Sequence, residues 1–179
     1  MTHLLILADI DDLHWREGSG NADLVLALGD MSDQVIVEAA QAYGCANVFA
    51  VKGNHDMPTA FPKPIRDLHM NVQEYGGLVF GGFNGSWKYK PRGHFLYEQQ
   101  EAEALLSGLP HVDVLISHNS PRGIHDRDDG IHVGFDALNT YIRRASPRFV
   151  FHGHQHVSRE THVGNTHVIG VYGHRLIEV

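Results

Sequence analysis

Val48-Phe49-Ala50-Val51-Lys52-Gly53-Asn54-His55-Asp56 sets an apolar, β-forming run against a glycine, an amide, an imidazole and a carboxylate. The run has the length and composition of a buried strand, and Gly53 marks where it gives way to a loop. Four other stretches repeat the pattern. Leu4 to Ala8 leads into Asp9-Ile10-Asp11, Leu24 to Leu28 into Gly29-Asp30, Val112 to Ile116 into Ser117-His118, and Phe149 to Phe151 into Gly153-His154-Gln155-His156. Strands that end together at one edge of a sheet bring their following loops into one crevice, so residues distant in sequence can converge there. The converging carboxylates, imidazoles and amide are a mixed oxygen and nitrogen set that suits Mn, Fe or Zn. There is enough ligand for two metals sharing a bridging carboxylate, and two metals in one hydrolytic crevice point to phosphoryl chemistry.

Around these stretches the sequence reads as one domain over 1–179, long enough to bury most of its apolar surface. A hydrophobic fraction of 42% with 20% charged residues is ordinary for a soluble globular protein. The single cysteine, Cys45, rules out an internal disulfide and fits a reducing cytoplasm. No segment approaches the length of a membrane span, and Leu4-Leu5-Ile6-Leu7 lacks the basic leader of a signal peptide. The formal net charge is −7, with no block of Lys or Arg. That weighs against tight binding to long nucleic acid, which needs a basic stripe to release counterions. Of the fifteen histidines, only His55, His118, His154 and His156 fall in the clusters. His3, His69, His111, His152, His162, His167 and His174 read by default as surface or sheet positions.

Strands, a helix and a strand alternate in the first half, an α/β pattern. The helix covers 33–43, with an apolar stripe at Ile36, Ala39, Ala40 and Tyr43, Ser32 or Asp33 as N-cap and Gly44 as stop. Residues 69–74 and 77–81 predict a hairpin turning at Tyr75-Gly76, and helices are predicted over 98–107 and 134–145. Three short strands follow at Arg159 to Val163, Thr166 to Val171 and His174 to Glu178. Loops 83–95 and 118–132 read as covers of the crevice, in which Arg122 or His125 could contact a phosphoryl oxygen, or as solvated surface loops, the default for any single residue there.

The order Asp-x-Asp, Gly-Asp, Gly-Asn-His-Asp, His, Gly-His-x-His, from Asp9 to His156, resembles the calcineurin-like metallophosphoesterase family. Periodicity alone gives α/β; the resemblance implies a four-layer β-sandwich flanked by helices. It also implies two divalent metals, and the carboxylate of Asp11 in the first ligand set shifts the preference to Mn, with Fe and Zn as alternatives. One would be held by Asp9, Asp11, Asp30 and His156 and the other by Asp30, Asn54, His118 and His154. Asp30, the proposed bridge, also precedes a helix and can serve as its N-cap instead. His55 would protonate or stabilise the leaving oxygen, with Asp56 orienting it.

The family pattern usually has Asp-x-His first, and here Asp11 stands in the histidine's place, with His14 nearby but out of register. The implied activity is hydrolysis of a small phosphodiester or phosphomonoester by metal-bound hydroxide. A metal-binding scaffold of the same fold is the alternative. The sequence leaves the oligomeric state open.

Overall fold

The computed structural model describes residues 1–179. Its elements begin with β1 (His3–Ala8), β2 (Leu24–Ala27), α1 (Asp33–Ala42), β3 (Val48–Ala50), β4 (Ile65–Asp67), β5 (Val72–Tyr75), β6 (Leu78–Phe83), β7 (Ser86–Trp87) and β8 (Leu96–Tyr97). They continue with α2 (Gln99–Ser107), β9 (Val114–Ser117), α3 (Asp136–Ala145), β10 (Phe149–His152), β11 (Arg159–Val163), β12 (Thr166–Gly170) and β13 (Gly173–Glu178). One sheet has the strand order β13-β1-β2-β3-β4 and a second has β11-β12-β10-β9-β6-β5. Parallel strands fill the middle of both, and the antiparallel partners β13, β11 and β5 lie at edges.

Side-chain alternation along the strands builds the layers. Leu4, Ile6, Leu24, Leu26 and Phe49 of the first sheet meet Phe80, Val114, Ile116, Phe151 and Ile169 of the second in one buried core. Leu5, Leu7, Val25, Ala27, Val48 and Ala50 point the other way, onto Val35, Ile36, Ala39 and Ala40 of α1. On the far side Leu115, Val150 and Val168 pack against Ala102 and Leu106 of α2 and Leu138, Tyr141 and Ile142 of α3. The result is helix, sheet, sheet, helices. Central strands buried on both faces read as unbroken apolar runs, which is why they are conspicuous in the sequence. Each large apolar side chain removed from water contributes about 1.5–3 kcal/mol.

Local chemistry sets the helix ends. Ser32 Oγ accepts from Val35 N at 3.2 Å as the N-cap of α1, and Gly44 takes a left-handed φ of 61° just beyond its end. At α2, Glu98 and Glu101 form a reciprocal capping box. α3 starts two residues later than the apolar pattern suggests. Phe135 is held extended, its N–H on Ser120 O and its carbonyl taking Arg122 N–H.

Several boundaries differ from the sequence reading. The hairpin turns at Gly76-Gly77 between Tyr75 and Leu78, both glycines having positive φ, and β5 begins only at Val72. β4 and the two-residue strands β7 and β8 have no counterpart in the sequence pattern, being too short to show a period. His152, read as a surface or sheet position, is the last residue of β10, a sheet position as expected, and is fully buried there.

Candidate metal centre

The loops after β1, β2, β3, β9 and β10 meet at the carboxyl ends of the parallel strands and are laced together by short hydrogen bonds. Asp9 N–H reaches Gly29 O at 3.1 Å, and Gly153 N–H reaches His118 O at 3.0 Å. His154 N–H reaches Asp9 Oδ2 at 2.9 Å, and His55 N–H reaches Asp30 Oδ1 at 2.8 Å. The loops approach so closely that a Cβ on Gly53 would lie 2.0 Å from Asp30 Oδ1. Asp9, Asp30, His154 and His156 all have left-handed backbones, with φ of 55°, 56°, 63° and 51°. Strain of this kind costs about 1–3 kcal/mol per residue and gathers where function requires a particular side-chain direction.

Asp30, His118 and His154 each present a ligand atom within 4.8 Å of the others. His118 is fully buried, and its Nδ1 lies 2.8 Å from Leu28 O, a contact only an N–H can make. Its Nε2 then faces two oxygen acceptors, Asn54 Oδ1 at 3.1 Å and Asp30 Oδ2 at 3.3 Å. Three lone-pair groups around one point call for a positive charge. Burial alone would push His118 down, but the Asp30 carboxylate outweighs it and holds the imidazole up at about 9. Burial would likewise raise Asp30, and His118 with the His55 N–H drives it well below the usual carboxylate range instead.

His154 is the opposite case: burial, aided by the neighbouring His118 charge, lowers it to about 2 and leaves it a neutral donor. Its Nε2 and Asp9 Oδ1 are buried without a hydrogen-bond partner. Orphaned lone pairs of this kind, beside a carboxylate and an amide oxygen, fit a divalent cation well. His156 Nε2 lies 3.7 Å from Asp9 Oδ1, and that contact raises the ring's pKa.

Other predicted residues are placed differently. Asp11 is exposed at the mouth of the crevice, in the wall of a groove that also includes Asp30 and His55. His14 is turned away, its Nδ1 3.0 Å from Glu38 Oε1 on α1. Asp56 does not orient His55. Its carboxylate accepts backbone N–H groups of Gly53 at 2.7 Å, Asp30 at 3.0 Å and Met31 at 3.1 Å, clamping two loops together. His55 instead has its Nδ1 3.6 Å from Asp30 Oδ2, with the ring largely exposed.

In the covering loops, Tyr89 OH accepts from Asn54 Nδ2 at 3.3 Å, which turns the amide oxygen toward His118. Arg122 is engaged by Asp126 and Asp128 of its own loop, and His125 by His152 and Thr161, so neither faces the centre. His132 does. Its ring centroid is 5.1 Å from that of His154, and its Nδ1 is tied to Asp129 Oδ2 at 2.7 Å. No strand precedes His132, so the strand-then-ligand pattern could not flag it.

The family model described as calcineurin-like phosphoesterase matches residues 5–158. The chain belongs to this family. Its members bind divalent metals, and Asp30, His118 and His154 form a candidate site for one here. No curated protein sequence matches the chain. Among solved structures it is similar to TT1561 of Thermus thermophilus, with a TM-score of 0.64 at 14% identity over 96% of this chain and 89% of that one. The phosphopantetheinyl hydrolase PptH of Mycobacterium tuberculosis gives 0.62 at 13% identity, covering 95% and 89%. Vps29 of Entamoeba histolytica, solved with zinc, gives 0.51 at 14%, covering 96% and 74%. These likenesses establish the shared fold.

Proposed function

We propose that the protein is a dinuclear metal-dependent phosphoesterase acting on a small phosphodiester or phosphomonoester. The observation that carries this reading is the pair of buried orphan atoms, Asp9 Oδ1 and His154 Nε2, beside an Asp30 carboxylate that already faces His118 and His55. One ion would be held by Asp9, Asp11, Asp30 and His156, the other by Asp30, Asn54, His118 and His154. The carboxylate-rich first set favours manganese over zinc. Such ions supply charge to neutralise phosphoryl oxygens and make water acidic enough to attack at neutral pH.

The chain's own residues do the positioning. Leu28 O fixes the His118 tautomer, and Tyr89 fixes the Asn54 amide. Asp56 locks the Asp30 and His55 loops at a fixed separation. His55, anchored through its backbone and exposed at the ring, donates a proton to the leaving oxygen. Net acidity and the lack of a basic stripe favour small substrates over nucleic acid. The single cysteine supports a cytoplasmic setting, and no helix is long and apolar enough to cross a membrane. A metal-binding scaffold is the second reading, favoured by an Asp11 that is exposed where the family's usual histidine would stand.

Aryl phosphate hydrolysis with added Mn, compared with His55→Ala, separates the two. The hydrolase reading expects metal content to persist in the variant while turnover falls, most for esters with poor leaving groups. Undetectable turnover by the Mn-loaded wild type would leave the scaffold.

A further inference from the structure

A groove of about 400 Å³ adjoins Asp30 and His55. Leu13 and Met57 line it, and both are large apolar side chains left 75% and 66% exposed. His55 stands at the end of the groove nearest the reacting oxygen, and the one lysine or arginine in the wall is Lys52, which is nearly buried. Its Nζ is 3.1 Å from Asp33 Oδ1 and 3.7 Å from the centroid of the Phe61 ring, so its charge is already matched. Asp12, also in the wall, is exposed and makes no ion pair. Away from His55, the groove therefore offers apolar contact and an unpaired carboxylate, with no free lysine or arginine to meet an anion.

We propose that this groove is the leaving-group subsite, and that it selects an apolar alcohol bearing no negative charge. The inference rests on the hydrolase reading. In the reaction, the oxygen of water joins phosphorus, the bond from phosphorus to the alcohol oxygen breaks, and the alcohol leaves with a proton. The groove lies beside His55, the proposed donor of that proton, so the departing group occupies it. An aryl or alkyl group covers Leu13 and Met57 and removes their surface from water. The methionine thioether adapts to different shapes. A carboxylate or second phosphate on the alcohol meets Asp12 with no free lysine or arginine to compensate, and like charges brought together are costly.

The test uses the full-length, Mn-loaded protein and aryl phosphate esters whose ring carries a para methyl, trimethylammonium or carboxylate group. KM for the carboxylate ester is expected to be about tenfold above that for the methyl ester. The trimethylammonium ester should match or improve on the methyl ester. Asp12→Lys should bring the carboxylate-to-methyl KM ratio close to one, with Asp12→Asn giving an intermediate value. A Leu13→Ser, Met57→Ser double variant should raise KM for the methyl ester several-fold and leave that ratio in place. These positions are exposed, and unchanged melting temperatures would establish that the variants fold. A wild-type ratio near one, or a ratio that neither Asp12 variant moves, overturns the subsite. No turnover of any ester overturns the hydrolase reading and the subsite with it.

Discussion

His118 and Asp30 stabilise each other's charge in surroundings that would neutralise either one alone, and this makes the metal-free protein sensitive to pH. The folded pKa of His118, about 9, is above its unfolded value. Its contribution to stability is therefore complete below about pH 6.5 and fades as pH rises through about 9. Asp30 is shifted downward, so its share is present above the unfolded carboxylate value and is lost only in acid. In chelator, the wild type should melt at a lower temperature at about pH 9.5 than at about pH 6.5, and His118→Gln should flatten that slope. A slope unchanged in the variant would mean that other groups set it. Asp56 gives a second residue-scale test. Asp56→Ala strands three backbone N–H groups and should cost about 2–4 kcal/mol in urea unfolding, with or without metal. A variant of full stability but impaired turnover would restore the role of orienting His55. The positions of Asp30, Asn54, His118 and His154 are legible in the sequence because each follows a strand in a set order. Those of His132 and Tyr89 are not, since loop paths alone bring them in.

At the scale of elements, local signals serve where they are strong. Ser32 and Gly44 bracket α1, and Glu98 with Glu101 opens α2. β4 is three residues long and exists because Ile65 to Asp67 completes the ladder on β3, a tertiary fact with no local pattern. The sheet position of His152 is legible as the end of an apolar run, but its complete burial and its partner are not. The ring's Nε2 finds His125 Nδ1 at 2.9 Å inside the protein. The α2–α3 pair has its own tie: Arg144 donates to Leu106 O at 3.1 Å and Leu109 O at 2.9 Å, satisfying carbonyls at the end of α2. Arg144→Met should cost about 1 kcal/mol in urea unfolding and leave metal affinity alone. A change in metal affinity would show that the two helices bear on the centre.

Across the whole molecule, the candidate centre joins the two sheets. Asp9, Asp30 and Asn54 follow strands of one, and His118, His154 and His156 follow strands of the other. A metal bound there would tie the halves of the sandwich and stabilise the native state by mass action. At a free Mn concentration about 100 times Kd the gain is about 2.7 kcal/mol, visible as a rise in melting temperature that EDTA reverses. A melting temperature indifferent to both would argue against a native metal site. The apolar strand runs make the sandwich readable, but they say nothing of which loop residues end up facing one another. The most direct test of the central claim is an anomalous-diffraction structure of the Mn-loaded protein. It should contain two ions about 3.5–4 Å apart, with one Asp30 oxygen on each. Two ions without Asp30 between them, or a single ion held by His118 and His154 alone, would contradict the account.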